Sequence, residues 1–565
     1  MLPGRAVLVE YPLGEQKLEE DENEGNILEQ RFQHYILPRA WPAMQIDPAR
    51  RPKAYEDLRA LRAARGLTKI NTEWRDPRGS TGPGGPGGPG GPGTPGGIDA
   101  SGCAWSSVGP TNVNGRVTSI AIDPGNRDRI FAATVGGLWR SIDRGRRWQR
   151  VSDDFIATLI SSVAINPADP TEVFVGTGDP SYALRLGPWG LGVWRSMTNG
   201  DPGSWTKVSL VELDNATIYR IRIDPVAPND VYIASSVGVY RGTRTGSAIT
   251  FARLGSFDAW TSDLVIDFSA TPRKIYAGVG QGSASFARGI WKWNGTDWQQ
   301  RNTGIPTASS RTIALALAGS SPSTIYAKVE RNDGHMQGVY KTTTGGETPA
   351  GGGDAWADLP GASPLNDSVA GTFWYSWYNS ILEVDPSNPD IVYGGGLSLY
   401  RTTNGGGMWV NVSAGADPAF PHTIHADQHA VAFDPVNPKL VYSGNDGGID
   451  RTTDTSIAPW RWEDLAHGMI VTEFYRSTTQ LATAPLVAGG SQDNGTEITF
   501  GNRTWYQPGG CDGADVAVDA ANSDTVYGNC NGGLFEVVNP VPGTAGALTT
   551  VTWSSPSGTP APPVL

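Results

Sequence analysis

Three of the six histidines of this chain lie within eight residues, in the segment HTIHADQHAVAFDP. His425, Asp427 and His429 are spaced two residues apart. In an extended strand, residues at this spacing point to the same face, so two imidazoles and a carboxylate would form a short polar ladder. Histidine and carboxylate ligands suit Zn²⁺ or another transition metal. The alternative is a buried hydrogen-bond network that holds no metal.

Three acidic loops, GNDGG, SQDNGT and GGCDG, follow this segment along the chain. They contain Asp446, Asp493 and Asp512, and we expect them to lie at the same rim as the histidines. Oxygen ligands alone would suit Ca²⁺, so the predicted metal is Zn²⁺ or Ca²⁺. The same three aspartates are the candidates for a catalytic acid or base if the chain is an enzyme.

These segments belong to a unit that recurs from about residue 104 onward. Each unit combines an alternating strand, a turn of the D-P-x-N-P type, a second strand that ends in Tyr-x-Gly, and a third strand, as in VAFDPVNPKLVYSGNDGGIDRT. Eight copies are clear, and LVAGGSQDNGTEITF is a ninth, degenerate copy. The spacing of about 50 residues predicts the four-stranded blade of a β-propeller, whose inner strands line a central channel.

A second motif follows several of the third strands and closes a turn. It reads SIDRGRRW in one unit and TTNGGGMW in another, with the spacing S/T-x-D/N-x-G-x-x-W. The Asp or Asn oxygen accepts hydrogen bonds from backbone N–H groups of the turn, glycine supplies a positive φ, and tryptophan is a large apolar plug. We expect a structural role for these residues, which are Ser141, Asp143, Gly145, Trp148, Thr402, Asn404, Gly406 and Trp409.

The repeat and this turn together resemble the Asp-box (BNR-repeat) β-propellers over about residues 104–560. The chain is most similar to large secreted bacterial proteins of the sortilin-like or BNR-repeat glycosyl hydrolase type. Those proteins carry an opening like WSSVGPTNVNGRV, an H-x-D-x-H strand and loops like GNDGG, SQDNGT and GGCDG. The resemblance implies an extracellular or cell-surface β-propeller, and it implies no particular activity.

Two enzymatic mechanisms of that family match the sequence poorly. A sialidase would need an arginine triad and an early Arg-Ile-Pro motif, which is absent here. A xyloglucanase-like inverting mechanism needs two carboxylates, one of them in a T-D-I-G-G loop of the first blade. The matching stretch AATVGGLWRS has no acid in that loop, although the second carboxylate could correspond to Asp446.

Clustered aromatic residues are the candidates for a binding surface. Trp189 lies in the LGPWGLG loop, and Trp374 and Trp377 lie in the stretch FWYSWY. Aromatic faces stack on sugar rings and on partner proteins. The alternative is that these side chains fill the gaps between blades.

Composition excludes several other classes of protein. The net charge of −12 disfavours nucleic-acid binding, and no apolar run approaches the ~18–20 residues of a membrane span. Three cysteines are too few for a disulfide scaffold, and the sequence does not decide whether Cys511 and Cys530 pair. The N-terminal segment is not typical of a signal peptide, so the extracellular assignment rests on the resemblance.

We therefore predict an all-β fold: a single β-propeller of about eight or nine four-stranded blades, within a range of seven to ten, with an extended N-terminal arm. The arm, with a short helix at 52–66, covers 1–81 and is followed by a Gly/Pro-rich linker at 82–97. The propeller covers 98–550, and a Pro-rich tail covers 551–565.

The main functional prediction is a non-enzymatic binding or assembly protein that self-associates through residues 1–97 and presents the propeller surface to a polysaccharide or protein ligand. One alternative is a polysaccharide-acting glycoside hydrolase or lyase at the mouth of the channel. The other alternative is a sortilin-type receptor that binds a peptide or protein in the channel.

Overall fold

The computed structural model describes residues 107–552 with internal gaps. The predicted arm, its helix, the linker, most of the tail, Trp189, Trp377 and Cys511 lie outside the described residues, so the predictions made for them stay predictions. The gaps are 154–158, 181–189, 284, 369–373, 375, 377, 414–421, 453, 456–459, 481–485, 502, 510–511, 514, 519–524, 531–532 and 539–550.

Each sequence repeat folds into one antiparallel sheet whose four strands are neighbours in chain order, and the nine such sheets among the described residues confirm the predicted all-β propeller blades. Sheets 1 to 3 contain β1 (Val117–Ile122), β2 (Ile130–Thr134), β3 (Gly137–Ser141), β4 (Gln149–Arg150), β5 (Ile160–Ile165), β6 (Val173–Thr177), β7 (Val193–Ser196), β8 (Thr206–Lys207), β9 (Ile218–Ile223), β10 (Asp230–Ser235), β11 (Gly238–Thr245) and β12 (Ala248–Arg253). Sheets 4 to 6 contain β13 (Trp260–Asp267), β14 (Lys274–Gln281), β15 (Gly289–Trp293), β16 (Trp298–Gln300), β17 (Ser310–Leu317), β18 (Ile325–Arg331), β19 (Met336–Thr342), β20 (Ala357–Asp358), β21 (Ile381–Val384), β22 (Val392–Gly395), β23 (Leu399–Thr402) and β24 (Val410–Asn411). Sheets 7 to 9 contain β25 (Gln428–Phe433), β26 (Val441–Asn445), β27 (Gly448–Thr452), β28 (Trp462–Asp464), β29 (Phe474–Gln480), β30 (Leu486–Ser491), β31 (Gly495–Thr499), β32 (Tyr506–Gly509), β33 (Val516–Val518), β34 (Thr525–Cys530), β35 (Gly533–Val538) and β36 (Val551–Thr552).

Helices are few and short in the part of the chain that the structure describes. They are three 3₁₀ helices, at Val211–Leu213, Leu254–Ser256 and Pro360–Leu365. No helix among these residues is long and apolar enough to cross a membrane.

The first seven sheets form a closed ring. The inner strand of each sheet contacts that of the next, from β1 through β5, β9, β13, β17 and β21 to β25, and β25 contacts β1. Sheets 8 and 9 contact each other through β29 and β33. The repeat therefore supplies nine blades, of which seven surround one axis.

A recurring indole hydrogen bond marks the junction between neighbouring sheets, including the junction at which the seven-sheet ring closes. Trp205 of sheet 2 donates through Nε1 to the carbonyl of Val151, the residue directly after the fourth strand of sheet 1, at 2.7 Å. Trp148 of sheet 1 donates in the same way to Leu465, directly after the fourth strand of sheet 7, at 2.7 Å. Sheet 7 therefore makes with sheet 1 the same contact that sheet 1 makes with sheet 2. Equivalent bonds join Trp298 to Leu254, Trp356 to Arg301 and Trp462 to Val412.

The glycine of the Tyr-x-Gly repeat permits this close packing of neighbouring sheets. A Cβ added to Gly278 of sheet 4 would lie 2.7 Å from the carbonyl oxygen of Ile313 in sheet 5. A Cβ added to Gly444 of sheet 7 would lie 2.8 Å from the carbonyl oxygen of Val117 in sheet 1. Both distances are shorter than non-bonded contacts allow, so the inner strand of the following sheet can approach only where the side chain is absent.

The aspartate of the D-P turn holds the hairpin between the first and second strands. The Oδ1 atom of Asp434 accepts hydrogen bonds from the backbone N–H groups of Val436 and Asn437, at 3.0 and 2.9 Å. This is the Asx-turn geometry that makes aspartate favourable at such positions. The same arrangement recurs at Asp123, Asp224 and Asp385.

Sheet 8 is attached to the ring through the segment that precedes β1. The backbone N–H of Thr111 donates to the carbonyl of Arg503 at 2.9 Å, and the Trp505 indole donates to the carbonyl of Val108 at 2.8 Å. These bonds bring the loop between β30 and β31 toward the end of the ring at which β25 begins, where Asn494 donates to the carbonyl of Asp446 at 2.9 Å.

Candidate functional site

The segment around His425, Asp427 and His429 does not form the regular strand that a three-residue ladder requires. Strand β25 begins only at Gln428, and its pairing with β26 shifts register between Gln428 and Ala430. Asp427 has a φ of 63°, a left-handed conformation that is uncommon for residues other than glycine. The three side chains therefore have different partners, and the expected common face is absent.

The two histidines differ in their surroundings. His429 is close to the ring axis, where its Nε2 lies 2.8 Å from Oδ1 of Asp446. His425 is partly exposed, and its Nδ1 lies 3.1 Å from the carbonyl oxygen of the adjacent Ala426. Asp427 is buried and accepts a hydrogen bond from the Asn379 amide. The proposed metal ligation by His425, Asp427 and His429 stays a prediction that this geometry does not favour.

Asp446 is the centre of a buried polar network at this end of the ring. Besides His429, Tyr378 donates its hydroxyl to Oδ2 of Asp446 at 2.6 Å, and Gln492 donates to that hydroxyl at 2.8 Å. Burial opposes ionisation of Asp446, but His429, followed by Arg116, outweighs it and holds the pKa of Asp446 well below its usual range. The carboxylate of Asp446 is therefore ionised.

Arg116 carries the compensating positive charge. Its side chain is fully buried, and its guanidinium contacts Glu473 at 2.9 Å, Asp179 at 3.4 Å and Asp446 at 3.8 Å. It also lies over the ring of Tyr378, 5.4 Å from the centroid. This one arginine joins the segment before β1 to carboxylates of sheets 2, 7 and 8.

Two further carboxyl groups share the cluster with Asp446. One carboxylate oxygen from each of Asp427, Asp446 and Asp493 lies within 4.8 Å of the others. Burial, followed by repulsion from Asp446, raises the pKa values of Asp427 and Asp493 well above normal. Three carboxyl groups this close repel one another too strongly to ionise together without a bound cation. The cluster therefore either keeps a proton or binds a cation in its place.

Asp493 is the member of this cluster that reaches solvent. It is partly exposed, whereas Asp427 and Asp446 are 5% and 2% exposed. Its φ of 57° is a second left-handed conformation in the cluster, and its backbone N–H donates to Oδ1 of Asp512 at 3.0 Å. Residues held in sparsely populated conformations concentrate at functional sites. Asp446, Asp493 and Asp512, which the sequence places in three separate loops, therefore do meet.

Several residues of this network were not indicated by the histidine spacing. Arg116 lies in the opening WSSVGPTNVNGRV, and Tyr378 ends the aromatic stretch FWYSWY, so each lay in a segment already noted for another reason. Asp179 and Glu473 have no distinguishing local pattern. They join the site because the ring brings together chain segments more than 60 residues apart.

The two S/T-x-D/N-x-G-x-x-W turns lie between the third and fourth strands. The hydroxyl of Ser141 donates to Oδ1 of Asp143 at 2.9 Å, and the N–H of Gly145 donates to Ser141 Oγ at 2.8 Å. Trp148 is 3% exposed and packs between sheets 1 and 7. The second turn repeats these bonds with Thr402, Asn404 and Gly406, and its Trp409 packs between sheets 5 and 6.

Trp374 is the one candidate binding tryptophan among the described residues. Its indole stacks on the imidazole of His335, with ring centroids 4.3 Å apart and planes inclined by 29°. It is partly buried and packs on the hairpin between β18 and β19, four residues before Tyr378 in the chain. A sugar-binding role for Trp374 stays a prediction.

No protein-family model matches this chain. A curated xyloglucanase of Hypocrea jecorina (strain QM6a) is 25% identical over 167 residues, which cover 28% of this chain and 20% of that protein. The match therefore spans a fifth of the length of the curated relative.

Two solved structures share the fold. The GH74 enzyme of Niastella koreensis superposes with a TM-score of 0.55 at 17% identity, covering 79% of this chain and 67% of that one. The GH74 xyloglucanase of Xanthomonas campestris superposes with a TM-score of 0.51 at 18% identity, covering 77% and 74% of the two chains. At these identities the likeness shows a shared β-propeller fold.

These comparisons overturn the main functional prediction. The expected non-enzymatic binding or assembly protein is contradicted, because the curated relative is a xyloglucanase and the two superposed structures are GH74 enzymes. The prediction was wrong because it gave most weight to the missing acid in the AATVGG loop. Asp446 of sheet 7 and Asp493 of sheet 8, which the sequence analysis named only for the alternative of a hydrolase, lie together in the carboxyl cluster.

Proposed function

We propose that this protein is a glycoside hydrolase that cleaves a polysaccharide at the aspartate cluster. The observation that supports this proposal is the division of one carboxyl cluster into an ionised Asp446 and a protonated, partly exposed Asp493. A carboxyl group whose pKa is raised by burial and by a neighbouring carboxylate keeps the proton that the general acid of glycosidic cleavage must donate.

Asp493 is the general acid in this proposal. It would donate its proton to the glycosidic oxygen as the bond from that oxygen to the anomeric carbon breaks. Asp493 keeps that proton until the substrate is bound, because burial, the negative charge of Asp446 and the hydrogen bond with Asp446 all oppose ionisation of Asp493. His429, Tyr378 and Arg116 hold Asp446 in place and ionised. Asp446 itself is too buried to touch a polymer, so it acts as a positioning residue.

The second carboxyl group lies outside the trio. Inverting hydrolysis places a water between the base and the sugar, with the two carboxyl groups roughly 6.5–9.5 Å apart. The oxygens of Asp427, Asp446 and Asp493 approach within 4.8 Å and leave no room for that water. Asp512 is partly exposed and is not one of the three crowded carboxyl groups, so we assign it the role of base.

The substrate we propose is a β-glucan of the xyloglucan type, because the sequence relative bears the name xyloglucanase. A polymer of this kind is found outside cells, so the proposal includes an extracellular or cell-surface location. The resemblance to secreted Asp-box propellers supports the same location, and the serine- and threonine-capped turns of sheets 1 and 6 have the geometry that this resemblance implies.

Product release from soluble polysaccharides tests the proposal directly. The full chain is incubated with xyloglucan, cellulose derivatives and mixed-linkage glucan, and new reducing ends are counted. We expect cleavage of at least one β-glucan, a loss of about 10²–10⁴-fold in Asp493→Asn, and full activity in Asp230→Asn, whose carboxylate pairs with Arg241 at the ring surface. Absence of cleavage on every polymer, or an active Asp493→Asn enzyme, would contradict the proposal.

A further inference from the structure

A cavity lies on the ring axis, next to the end of the ring that holds the aspartate cluster. It has a volume of about 340 Å³ and is lined by inner strands of sheets 1, 2, 3, 6 and 7. His429, at the start of β25, faces the side of the cluster, whereas Ala430 to Phe433 line this cavity. Arg220 lines this cavity and also the neighbouring space that His429 and Tyr378 line, so it lies between the two.

Two arginines project into the cavity from β9, two residues apart and therefore on one face of the strand. Arg220 is neutralised by Asp263 at 2.7 Å and Glu383 at 3.6 Å. Arg222 donates through Nε to the carbonyl of Leu264 at 3.3 Å, and no carboxylate of the described residues lies within 4.0 Å of its guanidinium. Burial, followed by repulsion from Arg220, lowers the pKa of Arg222, and the more distant carboxylates of Glu383 and Asp263 offset this only in part.

Two hydroxyl groups lie at the wall of the same cavity. Ser119 Oγ accepts a hydrogen bond from the N–H of Val163 at 3.3 Å, and Ser162 Oγ accepts one from the N–H of Ile221 at 3.2 Å. Because both oxygens act as acceptors in these bonds, their hydroxyl protons can be directed at a guest in the cavity. Ser119 and Ser162 belong to sheets 1 and 2, the neighbours of the sheet that carries Arg222.

We propose that this cavity binds a small oxyanion through Arg222, with Ser119 and Ser162 as additional donors. A guanidinium offers a planar pair of donors that matches a carboxylate or a phosphate. A volume of about 340 Å³ lies within the usual range of small-molecule sites and is ample for a phosphate or a sugar acid. The site is separate from the aspartate cluster and does not depend on the proposed hydrolase activity.

Isothermal titration of the full chain tests the proposal, with inorganic phosphate and glucuronate as probes and chloride buffers of equal ionic strength as the reference. We expect saturable binding of one anion per chain. The Arg222→Gln variant should bind at least tenfold more weakly, because a charge-assisted hydrogen-bond pair is lost. The matched control Arg241→Gln removes an exposed arginine of the same sheet and should bind as the wild type does.

A second variant covers the case in which Arg222→Gln does not fold. Ser119→Ala removes one hydroxyl at the cavity wall and should weaken binding several-fold with the fold intact. Tighter binding of glucuronate would identify a sugar acid as the natural class of ligand, and tighter binding of phosphate would identify a phosphate ester. Absence of saturable heat with both anions, or equal affinity in the folded variants and the wild type, would overturn the proposal.

Discussion

The indole nitrogen of Trp148 in the first sheet lies 2.7 Å from the carbonyl oxygen of Leu465 at the end of the seventh. The two residues are more than 300 positions apart in the chain. This bond repeats, at the point of closure, the contact that joins consecutive sheets elsewhere in the ring. It therefore identifies the seventh sheet, and not the ninth, as the neighbour of the first.

Truncation of Trp148 should loosen the ring at its closure. We expect Trp148→Ala to lower the free energy of unfolding by about 3–5 kcal/mol, because a large buried side chain is replaced by a cavity. Trp148→Phe keeps most of the apolar contact and loses the hydrogen bond, so it should cost about 1 kcal/mol. Denaturant midpoints of the variants measure both effects. Met408→Ala, at a side chain that is 63% exposed, is the control and should change little.

Removal of Arg116 should destabilise the protein more than removal of any exposed arginine. We expect Arg116→Met to cost about 3–5 kcal/mol, since Asp446, Asp179 and Glu473 would lose their buried counter-charge. Arg241→Gln, which removes a half-exposed arginine from its pair with the 14% exposed Asp230, should cost about 1 kcal/mol or less. Thermal unfolding of both variants provides the comparison. Equal effects would mean that the Arg116 network contributes no more than a surface pair.

The buried Glu497 of sheet 8 should make stability fall as pH rises. Burial raises the pKa of Glu497 to about 8, and the Ser491 hydroxyl opposes this only in part. An unfolded glutamate has a pKa near ~4.3, so between about pH 4.3 and 8 the folded state keeps a proton that the unfolded chain releases. The loss amounts to at most about 1.4 kcal/mol per pH unit across that window.

Replacement of this group isolates its contribution. Glu497→Gln cannot titrate, so its unfolding free energy should vary less between pH 5 and pH 8 than that of the wild type. Glu463→Gln, at a side chain that is 46% exposed and paired with Arg451, should keep the wild-type dependence. Parallel curves for Glu497→Gln and wild type would show that Glu497 does not hold a proton in the folded state.

The proposed acid should respond to the charge beside it. In Asp446→Asn, Asp493 loses a repelling carboxylate, so the pKa of Asp493 should fall. Activity requires the protonated acid and should therefore be lost at lower pH, which moves the alkaline limb of the kcat/KM profile toward acid. The profile on the polysaccharide that the wild type cleaves measures this shift. An unmoved limb in a folded Asp446→Asn enzyme would exclude Asp493 as the group that titrates.

The sequence patterns correctly indicated the acidic loops of the site, but the spacing of the histidines indicated a geometry that the structure does not have. Asp446 and Asp493 were identifiable because acids in glycine-rich loops stand out between alternating strands. The ladder of His425, Asp427 and His429 was wrong, since the two-residue spacing implies a common face only in a regular strand. Asp427 adopts a φ of 63° and its N–H donates to the carbonyl of Leu397 in the preceding sheet, an interaction that the segment itself does not encode.

Sequence alone determined the type of blade and an approximate number of eight or nine, because each blade is made of consecutive antiparallel strands joined by short turns. The alternation of apolar and polar residues in the strands, the aspartate of the D-P turn and the glycine of Tyr-x-Gly each determine structure within a few dozen residues. All three can therefore be recognised in a single repeat. Only the tertiary structure decided that seven sheets close a ring, and that Arg116 meets Asp179, Asp446 and Glu473. Closure depends on the angle at which sheets pack across hundreds of residues, and the charges of the site are balanced only where that packing brings them together.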